Sequence, residues 1–472
     1  MQEILITPTA IEAFTDLLPT ERILRFSEAA AEARDLTRDR VVWNISATAR
    51  GGGVAEMLQT LLGFVRGVHV DTRWMVLSGS PEFFGVTKRV HNMLHGEPGD
   101  GGALGPDEYG VLAAALAPDI EELSGQVRAG DVVVLHDPQT AGLVAAMQSL
   151  GAHVVWRCHV GRDVPNELSE SAWTFLRPLL EPADAFVFSR AGYAPPWCRT
   201  EALWIITPSI DPFSAKNCLL GHAAIEGSLR AAGILAGEPD PDALGFTRHE
   251  GGAGEVRRQQ STVAGPPVPM GARLVVQVSR WDVLKDMQGV MRGFTGALDD
   301  LPTDVHLVLA GPDVAGVSDD PEGAAVLARC RAQWADLSAT EQQRVHLVCL
   351  PMDDLDENAH LVNSLQRRAS VVVQKSLEEG FGLTVTEAMW KSVPVVVSPV
   401  GGICDQVVDL VNGLVLEDAA DLVGLGRALV RLLDDPELSA RLGVAAHATV
   451  LERFLGDRHL DAYVDLLRWL LR

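Results

Sequence analysis

The chain has 472 residues, a formal net charge of -24 at pH 7, 47% hydrophobic residues, 44 Gly and 26 Pro. This length indicates two large domains, and the composition is that of a globular protein with many turns rather than a disordered one. The negative charge argues against binding to nucleic acid or an anionic membrane surface, because either would require a basic face.

The cysteines and the N-terminal stretch indicate a cytoplasmic protein. The six cysteines are scattered, without a CxxC pair or a Cys/His spacing suited to zinc, so we expect free thiols in a reducing compartment. The N-terminus lacks a basic region followed by a long apolar core, and no window reaches the ~20 apolar residues of a membrane span. The sequence leaves open whether the chain forms a homodimer.

Apolar runs rich in β-branched residues alternate with amphipathic helical patterns in the first half of the chain. Continuous apolar strands separated by helices are typical of a parallel sheet buried on both faces. We therefore expect residues 1–215 to form a Rossmann-like domain. The predicted strands are RVVWNIS (40–46), DVVVLHD (131–137), HVVWRCHV (153–160) and DAFVFS (184–189).

The same rhythm restarts near residue 272 and predicts a second Rossmann-like domain over residues 273–455. Residues 216–272 are expected to be a linker region with a flexible insert, because 236–272 is rich in Gly, Pro and charge without a sustained period. The terminal helical pattern, 456–472, is expected to pack back on the first domain. The predicted strands are ARLVVQVSR (272–280), VHLVLAGP (305–312), RVHLVCLP (344–351), ASVVVQKS (369–376), VPVVVSP (393–399) and NGLVLED (412–418).

Candidate ligand-binding residues follow several predicted strands. Open α/β sheets bind ligands at the carboxyl ends of their strands, so two such domains would enclose a cleft there. After the first strand, Gly51, Gly52 and Gly53 precede a helix. They fit either a phosphate-binding helix start or a tight turn. Arg280 and Lys285, beyond another strand end, fit either a diphosphate-binding pair or a solvated loop.

The stretch EEGFGLTVTEAMWK (378–391) combines a glycine turn with two carboxylates. Gly380 and Gly382 would expose backbone amides at a helix entrance, where sugar hydroxyls or a phosphate bind. Glu379 lies on the turn and Glu387 about one helical turn further on. Because a carboxylate accepts hydrogen bonds from vicinal hydroxyls, the pair indicates a ligand with polyol at both ends.

Histidines at strand ends and one acidic string complete the candidates. His136 fits a structural role as well as a functional one, whereas His159, flanked by Arg157 and Arg162, is the better candidate for contact with a substrate. The string Asp354-Leu355-Asp356 has the form of a metal-binding pair, but it lies in an acidic stretch that resembles a solvated loop. We predict no metal site.

These residues resemble a known family, the retaining GT-B glycosyltransferases that include sucrose and glycogen synthases. Within that family the sequence is similar to the glycosyl-transferring trehalose synthases, over most of the chain from 40 to 460. The marks are VSRWDVLKD (278–286), the spacing from Glu379 to Glu387, GGGVAEML (51–58), EFFGVTKRVHNMLHG (82–96), LHDPQTAGL (135–143), WRCHV (156–160), PSIDPFSAKN (208–217), DDPEG (319–323) and NSLQRRAS (363–370).

The resemblance implies an α/β GT-B fold, with two Rossmann-like domains whose parallel sheets face each other across a cleft. It also implies site roles. Arg280 and Lys285 would hold the donor diphosphate, assisted by Gly52 and Gly53, and Glu379 would bind hydroxyls of the donor sugar. Glu387 would bind the ribose, and His159 would lie beside the transferred sugar. The amides around Phe381, Gly382, Leu383 and Thr384 would contact sugar and phosphate.

The implied activity is transfer of glucose from an NDP-glucose to glucose or a close analogue, giving trehalose or a similar α,α-disaccharide, without a metal or other cofactor. In this family no protein nucleophile is required, because the acceptor enters on the face that the diphosphate leaves. A phosphate oxygen then takes the proton of the acceptor. Three alternatives remain: a trehalose phosphorylase that uses glucose 1-phosphate, a transferase with a natural-product sugar or cyclitol acceptor, and a non-catalytic sugar-nucleotide binder.

Two positions and one segment depart from the family pattern. Asp286 and Ser392 stand where many relatives have Gly, and residues 160–166, VGRDVPN, are less rich in hydroxyls than the corresponding stretch of the trehalose enzymes. The last departure bears on the acceptor.

Overall fold

Two seven-stranded, mostly parallel sheets organise the protein in this computed structural model, which describes residues 1–49, 53–249, 251–257, 261–314 and 321–472. By its internal contacts the chain divides into a first unit, residues 1–209 with 456–472, and a second unit, residues 210–455. Each unit carries one of the sheets and its own apolar core. No helix in the described part of the chain is long and apolar enough to cross a membrane.

The sheet of the first unit has the strand order β1-β3-β2-β4-β5-β6-β7. Only β1, at the edge, runs antiparallel to its neighbour. The strands are β1 (Gln2–Ile4), β2 (Val42–Ser46), β3 (Thr72–Val76), β4 (Val132–His136), β5 (His153–Cys158), β6 (Ala185–Phe188) and β7 (Leu203–Ile205). The helices are α1 (Thr20–Leu36), α2 (Gly53–Gly67), α3 (Pro81–Leu94), α4 (Pro106–Ser124), α5 (Val144–Ser149), α6 (Glu167–Leu180) and the C-terminal helix (Gly456–Leu470).

Strand β4 shows why the central strands read as continuous apolar runs. Val133 and Leu135 pack into one apolar cluster, and Val132 and Val134 into another that includes Leu466 of the C-terminal helix. Successive side chains point to opposite faces of a sheet, so both faces of β4 are buried. The C-terminal helix therefore belongs to the core of the first unit.

The sheet of the second unit has the order β10-β13-β12-β11-β14-β15-β16, with β10 antiparallel to β13 and the remaining pairs parallel. The strands are β8 (Gly245–Thr247), β9 (Ala253–Glu255), β10 (Thr262–Ala264), β11 (Arg273–Val278), β12 (Val305–Pro312), β13 (Val345–Leu350), β14 (Ala369–Gln374), β15 (Val395–Val397) and β16 (Leu414–Val415). The helices are α7 (His222–Ala231), α8 (Met287–Thr295), α9 (Pro321–Ala335), α10 (Ala339–Gln342), α11 (Leu355–Arg368), α12 (Leu383–Trp390), α13 (Leu422–Asp434) and α14 (Pro436–Arg453).

The region 216–272, expected to be a linker with a flexible insert, contributes structure to the second unit. It contains α7, the antiparallel hairpin β8-β9 and the edge strand β10. Phe246 of the hairpin stacks on His360 of α11 at 4.8 Å between ring centroids, and Arg248 forms a two-pronged ion pair with Asp354. Strands of three residues are too short to show a period, which is why the sequence pattern did not reveal them.

Candidate active site

Two loops at the carboxyl ends of neighbouring strands bring the predicted donor-site residues together. Because β11 and β14 pair directly, the loop after each strand adjoins the other. Lys285, from the first loop, donates to Glu379, from the second, with Nζ and Oε1 2.7 Å apart. The two side chains are only 15% and 10% exposed. The sequence predicted both residues as ligand contacts but did not predict that they form an ion pair.

Ser376 fixes the other oxygen of Glu379. Its Oγ donates to Oε2 at 3.0 Å, so both carboxylate oxygens have a defined partner. Arg280 is more open, with a 42% exposed side chain whose Nη2 lies 3.3 Å from Oδ2 of Asp282. The second unit therefore presents one partly exposed cation, Arg280, and one largely buried cation paired with a carboxylate, Lys285.

The glycine turn before α12 depends on backbone contacts that only glycine permits. Gly382 caps α12 with φ +85°, in the left-handed region, and a Cβ there would lie 3.2 Å from Cγ of Glu379. Gln406 Nε2 donates to the carbonyl of Phe381, and the Gly402 amide donates to the carbonyl of Gly380 at 3.3 Å. These bonds hold the turn against the short 3-10 helix Gly401–Asp405.

The start of α12 offers backbone amides near Glu379. The first amides of a helix have no partner within the helix and, together with its dipole, attract anions. Leu383 is the first helical residue, and the Thr384 hydroxyl is occupied by a bond to Oε1 of Gln374 at 3.1 Å. The amides of these residues, rather than the hydroxyl, are therefore the groups suited to a ligand.

Glu387 lies further along α12, in separate surroundings from Glu379. The residue is only 3% exposed, and its carboxylate lies 3.7 Å from Nζ of Lys216. One turn on, the buried Lys391 ammonium donates to Oδ1 of Asn217, Oε1 of Gln366 and the carbonyl of Glu387. Burial lowers the pKa of Lys391 to about 7, and the charge of Glu387 opposes that shift. Lys391 thus anchors the helix turn that carries Glu387.

In the first unit, His159 pairs with His136. Nε2 of His159 lies 3.3 Å from Nδ1 of His136, and the two rings stack with centroids 5.6 Å apart. The backbone amide of His159 donates to Oδ1 of Asp137 at 2.8 Å. Burial, followed by the charge of Arg157, lowers the pKa of both imidazoles well below the usual value. Burial also raises the pKa of Asp137 to about 7.

Arg157, which the sequence placed beside His159, has a structural role. Its fully buried guanidinium donates to Nε2 of His459 at 3.0 Å and to the Tyr463 hydroxyl, both on the C-terminal helix. The Ser209 hydroxyl lies 2.9 Å from Nδ1 of the same histidine. This network ties the C-terminal helix to β5.

The glycine run after β2 and the acidic string Asp354-Leu355-Asp356 were also candidate sites. Gly51 and Gly52 lie outside the described residues, whereas Gly53 is the first residue of α2. Asp354 caps α11 and, with Asp356, pairs with Arg248, so this acidic string serves the helix start. Among the residues that the structure describes, no group of three or more His, Cys, Asp or Glu side chains is arranged to hold a metal ion.

Comparison with known proteins decides the family. A model of the N-terminal domain of trehalose synthase matches residues 44–195, and one of group 1 glycosyl transferases matches residues 263–449. The trehalose synthase of Thermococcus litoralis is 30% identical over 466 residues, which cover 97% of this chain and 96% of that protein. The chain belongs to the trehalose synthase family. It is therefore a glycosyltransferase, as predicted.

Other relatives of this glycosyltransferase include a second enzyme class. The trehalose synthase of Rubrobacter xylanophilus is 31% identical over 89% of this chain and 88% of that protein. The trehalose phosphorylase of Pleurotus sajor-caju is 26% identical over 76% of this chain and 48% of that protein. Both names concern trehalose, and a trehalose-related glycosyltransferase is what the relatives share.

Solved structures confirm the predicted GT-B fold. The α,α-trehalose-phosphate synthase (UDP-forming) of Burkholderia vietnamiensis has a TM-score of 0.65 at 14% identity, over 91% of this chain and 98% of that chain. HepE of Anabaena, solved with UDP and glucose, has a TM-score of 0.58 at 15% identity, over 91% of this chain and 99% of that chain.

Several residues that shape the site of this glycosyltransferase were missed by the sequence reasoning. Ser376 is the last residue of the predicted strand 369–376, so its position at a carboxyl end was a usable signal. Gln406 and Lys391 carry no such signal, because each acts through a contact that only the folded chain creates. The paired glycines Gly401 and Gly402 are a signal that could have suggested close backbone packing, although two glycines alone do not identify the packing partner.

Proposed function

We propose that this enzyme transfers glucose from a nucleoside diphosphate glucose to glucose, or to a close analogue, with retention at the anomeric carbon. The product is trehalose or a trehalose-like α,α-disaccharide. The observation that carries the proposal is the Lys285 to Glu379 ion pair, 2.7 Å between Nζ and Oε1, beside the turn that opens α12. It supports a site that binds a charged leaving group and sugar hydroxyls side by side.

The donor is proposed to lie along the carboxyl ends of β11 and β14. Arg280 and Lys285 supply positive charge for the diphosphate, and the amides from Phe381 to Thr384 bind sugar and phosphate oxygens. Glu379, held by Ser376, accepts hydrogen bonds from hydroxyls of the glucose. Glu387, on the next helix turn, binds the ribose hydroxyls.

The reaction is proposed to need no protein nucleophile. As the glycosidic bond to the diphosphate breaks, negative charge grows on the leaving oxygen, and a fixed cation in a partly buried site stabilises that charge by several kcal/mol, roughly the effect of one oxyanion-hole donor. The acceptor hydroxyl enters on the face that the diphosphate leaves and gives its proton to a phosphate oxygen. His159 lies beside the transferred sugar in this proposal.

The proposal includes metal independence. In many sugar transferases a divalent ion supplies the positive charge that binds the diphosphate. Here Arg280 and Lys285 supply it. The expected result is full turnover after treatment with a chelator and no gain on addition of Mg²⁺ or Mn²⁺. Loss of turnover that Mg²⁺ restores would contradict this part.

A donor and acceptor panel tests the proposed function. Nucleoside diphosphate glucoses with different bases are combined with glucose, glucose 6-phosphate, other hexoses and a cyclitol, and products are identified by mass and by digestion with an α,α-specific trehalase. We expect a disaccharide of two hexoses, and we expect it from glucose as acceptor. Binding of a nucleoside diphosphate without product from any hexose would instead favour an unusual acceptor or a non-catalytic binder.

The phosphorylase alternative has its own support, because trehalose phosphorylases are among the relatives. Those proteins match over only about half of their length, which favours the synthase reading. Incubating the enzyme with glucose 1-phosphate and glucose separates the two. Disaccharide formation from glucose 1-phosphate, with none from any nucleotide sugar, would overturn the proposal.

The sequence motifs say less about the identity of the acceptor than about the donor. In the departing segment 160–166, Asp163 pairs with Arg190 at 2.7 Å, and Asn166 caps α6. Arg162 Nη1 donates to the carbonyl of His95 at 3.4 Å. These polar groups are engaged within the first unit, so the acceptor panel includes analogues as well as glucose.

A further inference from the structure

A chain of buried hydrogen bonds leads from a backbone carbonyl to the imidazole of His159. Thr72 Oγ1 donates to the carbonyl of Val42 at 2.9 Å, and Nδ2 of Asn44 lies 3.3 Å from Thr72 Oγ1. Oδ1 of Asn44 lies 3.1 Å from Nε2 of His136, whose Nδ1 lies 3.3 Å from Nε2 of His159. All four side chains are buried. The chain links β2, β3 and β4 to the residue that follows β5.

The carbonyl at one end gives this chain a direction. A backbone carbonyl only accepts hydrogen bonds, so the Thr72 hydroxyl donates to it. The Thr72 oxygen then accepts a hydrogen bond from the amide nitrogen of Asn44. The amide oxygen therefore faces His136, and Nε2 of His136 carries the hydrogen. A neutral imidazole has one N–H, so Nδ1 of His136 accepts and Nε2 of His159 donates. Nδ1 of His159 is left as an acceptor.

The reverse direction is disfavoured by the distances. It would require the Thr72 hydroxyl to donate to Asn44 over the longer contact of 3.3 Å. The Thr72 and Val42 oxygens would then face each other at 2.9 Å with no proton between them. Both histidines are neutral near pH 7, because burial lowers the pKa of each well below its usual value.

We propose that this relay fixes His159 in the tautomer whose Nδ1 accepts a hydrogen bond, so that a sugar hydroxyl binds there as the donor. Thr72 and Asn44 are then positioning residues for the sugar contact. No hydrogen bond joins Nδ1 of His159 to another described residue, which leaves this acceptor for a ligand. The contact with sugar rests on the proposed function, whereas the tautomer does not.

The tautomer predicts a specificity. A hydroxyl donates to an acceptor nitrogen, but fluorine at the same carbon has no proton to donate and places its own negative charge against the lone pair. Replacing a hydroxyl that binds a buried acceptor costs at least about ten-fold in kcat/KM. Besides the positions whose hydroxyls bind Glu379, one further position of the donor glucose should therefore reject fluorine, whereas a histidine that donated its N–H would tolerate fluorine there.

The first test is spectroscopic and needs no substrate. Nitrogen-15 NMR of the imidazole rings, in histidine-labelled enzyme, reports which ring nitrogen carries hydrogen, and a His159→Gln variant assigns the resonance. We expect hydrogen on Nε2 and none on Nδ1 in the wild type. Hydrogen on Nδ1 would overturn the inference whatever the enzyme's activity proves to be.

A matched pair of variants tests the relay itself. Thr72→Ser keeps the hydroxyl and should keep the wild-type ring spectrum, whereas Thr72→Val, of nearly the same shape, removes the acceptor for Asn44 and should give a mixture of His159 tautomers. Circular dichroism checks that both variants fold. If both variants are folded and both keep the single wild-type tautomer, the relay does not set it.

Fluorinated donors then test the sugar contact. Nucleoside diphosphate glucoses carrying one fluorine in place of one hydroxyl are compared with the parent in wild-type enzyme, Thr72→Ser and Thr72→Val. We expect fluorine to cost ten-fold or more at the carbons whose hydroxyls bind Glu379 and at one further carbon. Only the cost at that further carbon should become smaller in Thr72→Val. An acceptor Nδ1 by NMR with equal fluorine costs in all three enzymes would overturn the hydroxyl contact. Absence of turnover with every nucleotide sugar would instead overturn the proposed function and leave the tautomer result standing.

Discussion

Adding one methyl group at Gly402 should damage the donor site without unfolding the protein. A Cβ at this position would lie 2.6 Å from Cα of Phe381 and 2.8 Å from the carbonyl oxygen of Gly380, both of which are backbone atoms. Non-bonded carbon atoms prefer separations of about 3.5–4.0 Å, so the turn before α12 must move away by about 1 Å. The amides of Phe381 and Gly382 move with it.

The expected effect of Gly402→Ala follows from that displacement. A shift of about 1 Å at a positioning element costs roughly 100-fold in turnover, and overpacking costs about 1–3 kcal/mol of stability. The assay is kcat with the best nucleotide glucose, together with calorimetric binding of the nucleoside diphosphate, well below the unfolding temperature. We expect weaker binding and lower kcat.

Gly110→Ala is the matched control, because a Cβ at Gly110 in α4 would meet nothing within 4 Å. This variant should keep wild-type kcat and binding. If Gly402→Ala is folded and shows the kcat and affinity of the control, the amides of this turn do not bind the donor, and the assignment of Phe381, Gly382, Leu383 and Thr384 is refuted.

Three further predictions concern single side chains. Lys285→Ala should lower kcat by roughly 100- to 1,000-fold with the fold intact, since it removes the cation that stabilises the leaving group, and unchanged turnover would refute that role. Ser392→Gly should raise the free energy of unfolding by about 1 kcal/mol in urea titration, because the exposed Ser392 has φ +60°, and no gain would mean that the local backbone is not strained. Burial lowers the pKa of His360 from 6.5 to about 4. The contribution of this neutral imidazole to the free energy of unfolding is therefore fully present above pH 6.5 and is lost as pH falls towards 4. That loss amounts to about 3 kcal/mol, and His360→Gln should show a correspondingly flatter stability profile between pH 7 and pH 4 in equilibrium unfolding; identical slopes would contradict the assignment.

The sequence predicted the sheets well because their strands carry a physical signal. A central parallel strand is buried on both faces, so most of its residues are apolar, as in β4 and β12. The edge elements of the second unit lack that signal. β8, β9 and β10 are three residues long and half exposed, and their place is fixed by partners such as His360 and Asp354 that lie about 100 residues away.

The candidate site was predictable in its parts but not in its couplings. Lys285 and Glu379 each stood out at a strand end, yet their ion pair joins residues 94 positions apart. The sequence fits both a structural and a functional role for His136, and the structure places its Nδ1 in hydrogen-bond contact with Nε2 of His159. No local pattern in RVVWNIS marks Asn44, because its importance comes from the strand that happens to lie beside it.

Asp286 and Ser392, which stand where many relatives have glycine, differ in how the structure compensates for the missing glycine. Both residues have positive φ, +44° and +60°, which explains why glycine is usual there. Two side-chain contacts of Asp286 offset the conformational strain of its backbone. Oδ1 accepts a hydrogen bond from the amide of Gly289 at 2.9 Å, and Oδ2 pairs with the buried Lys375. The exposed Ser392 has no comparable side-chain role among the contacts that the structure describes. The same replacement by glycine should therefore stabilise the protein at Ser392 and destabilise it at Asp286, where a buried cation would lose its carboxylate.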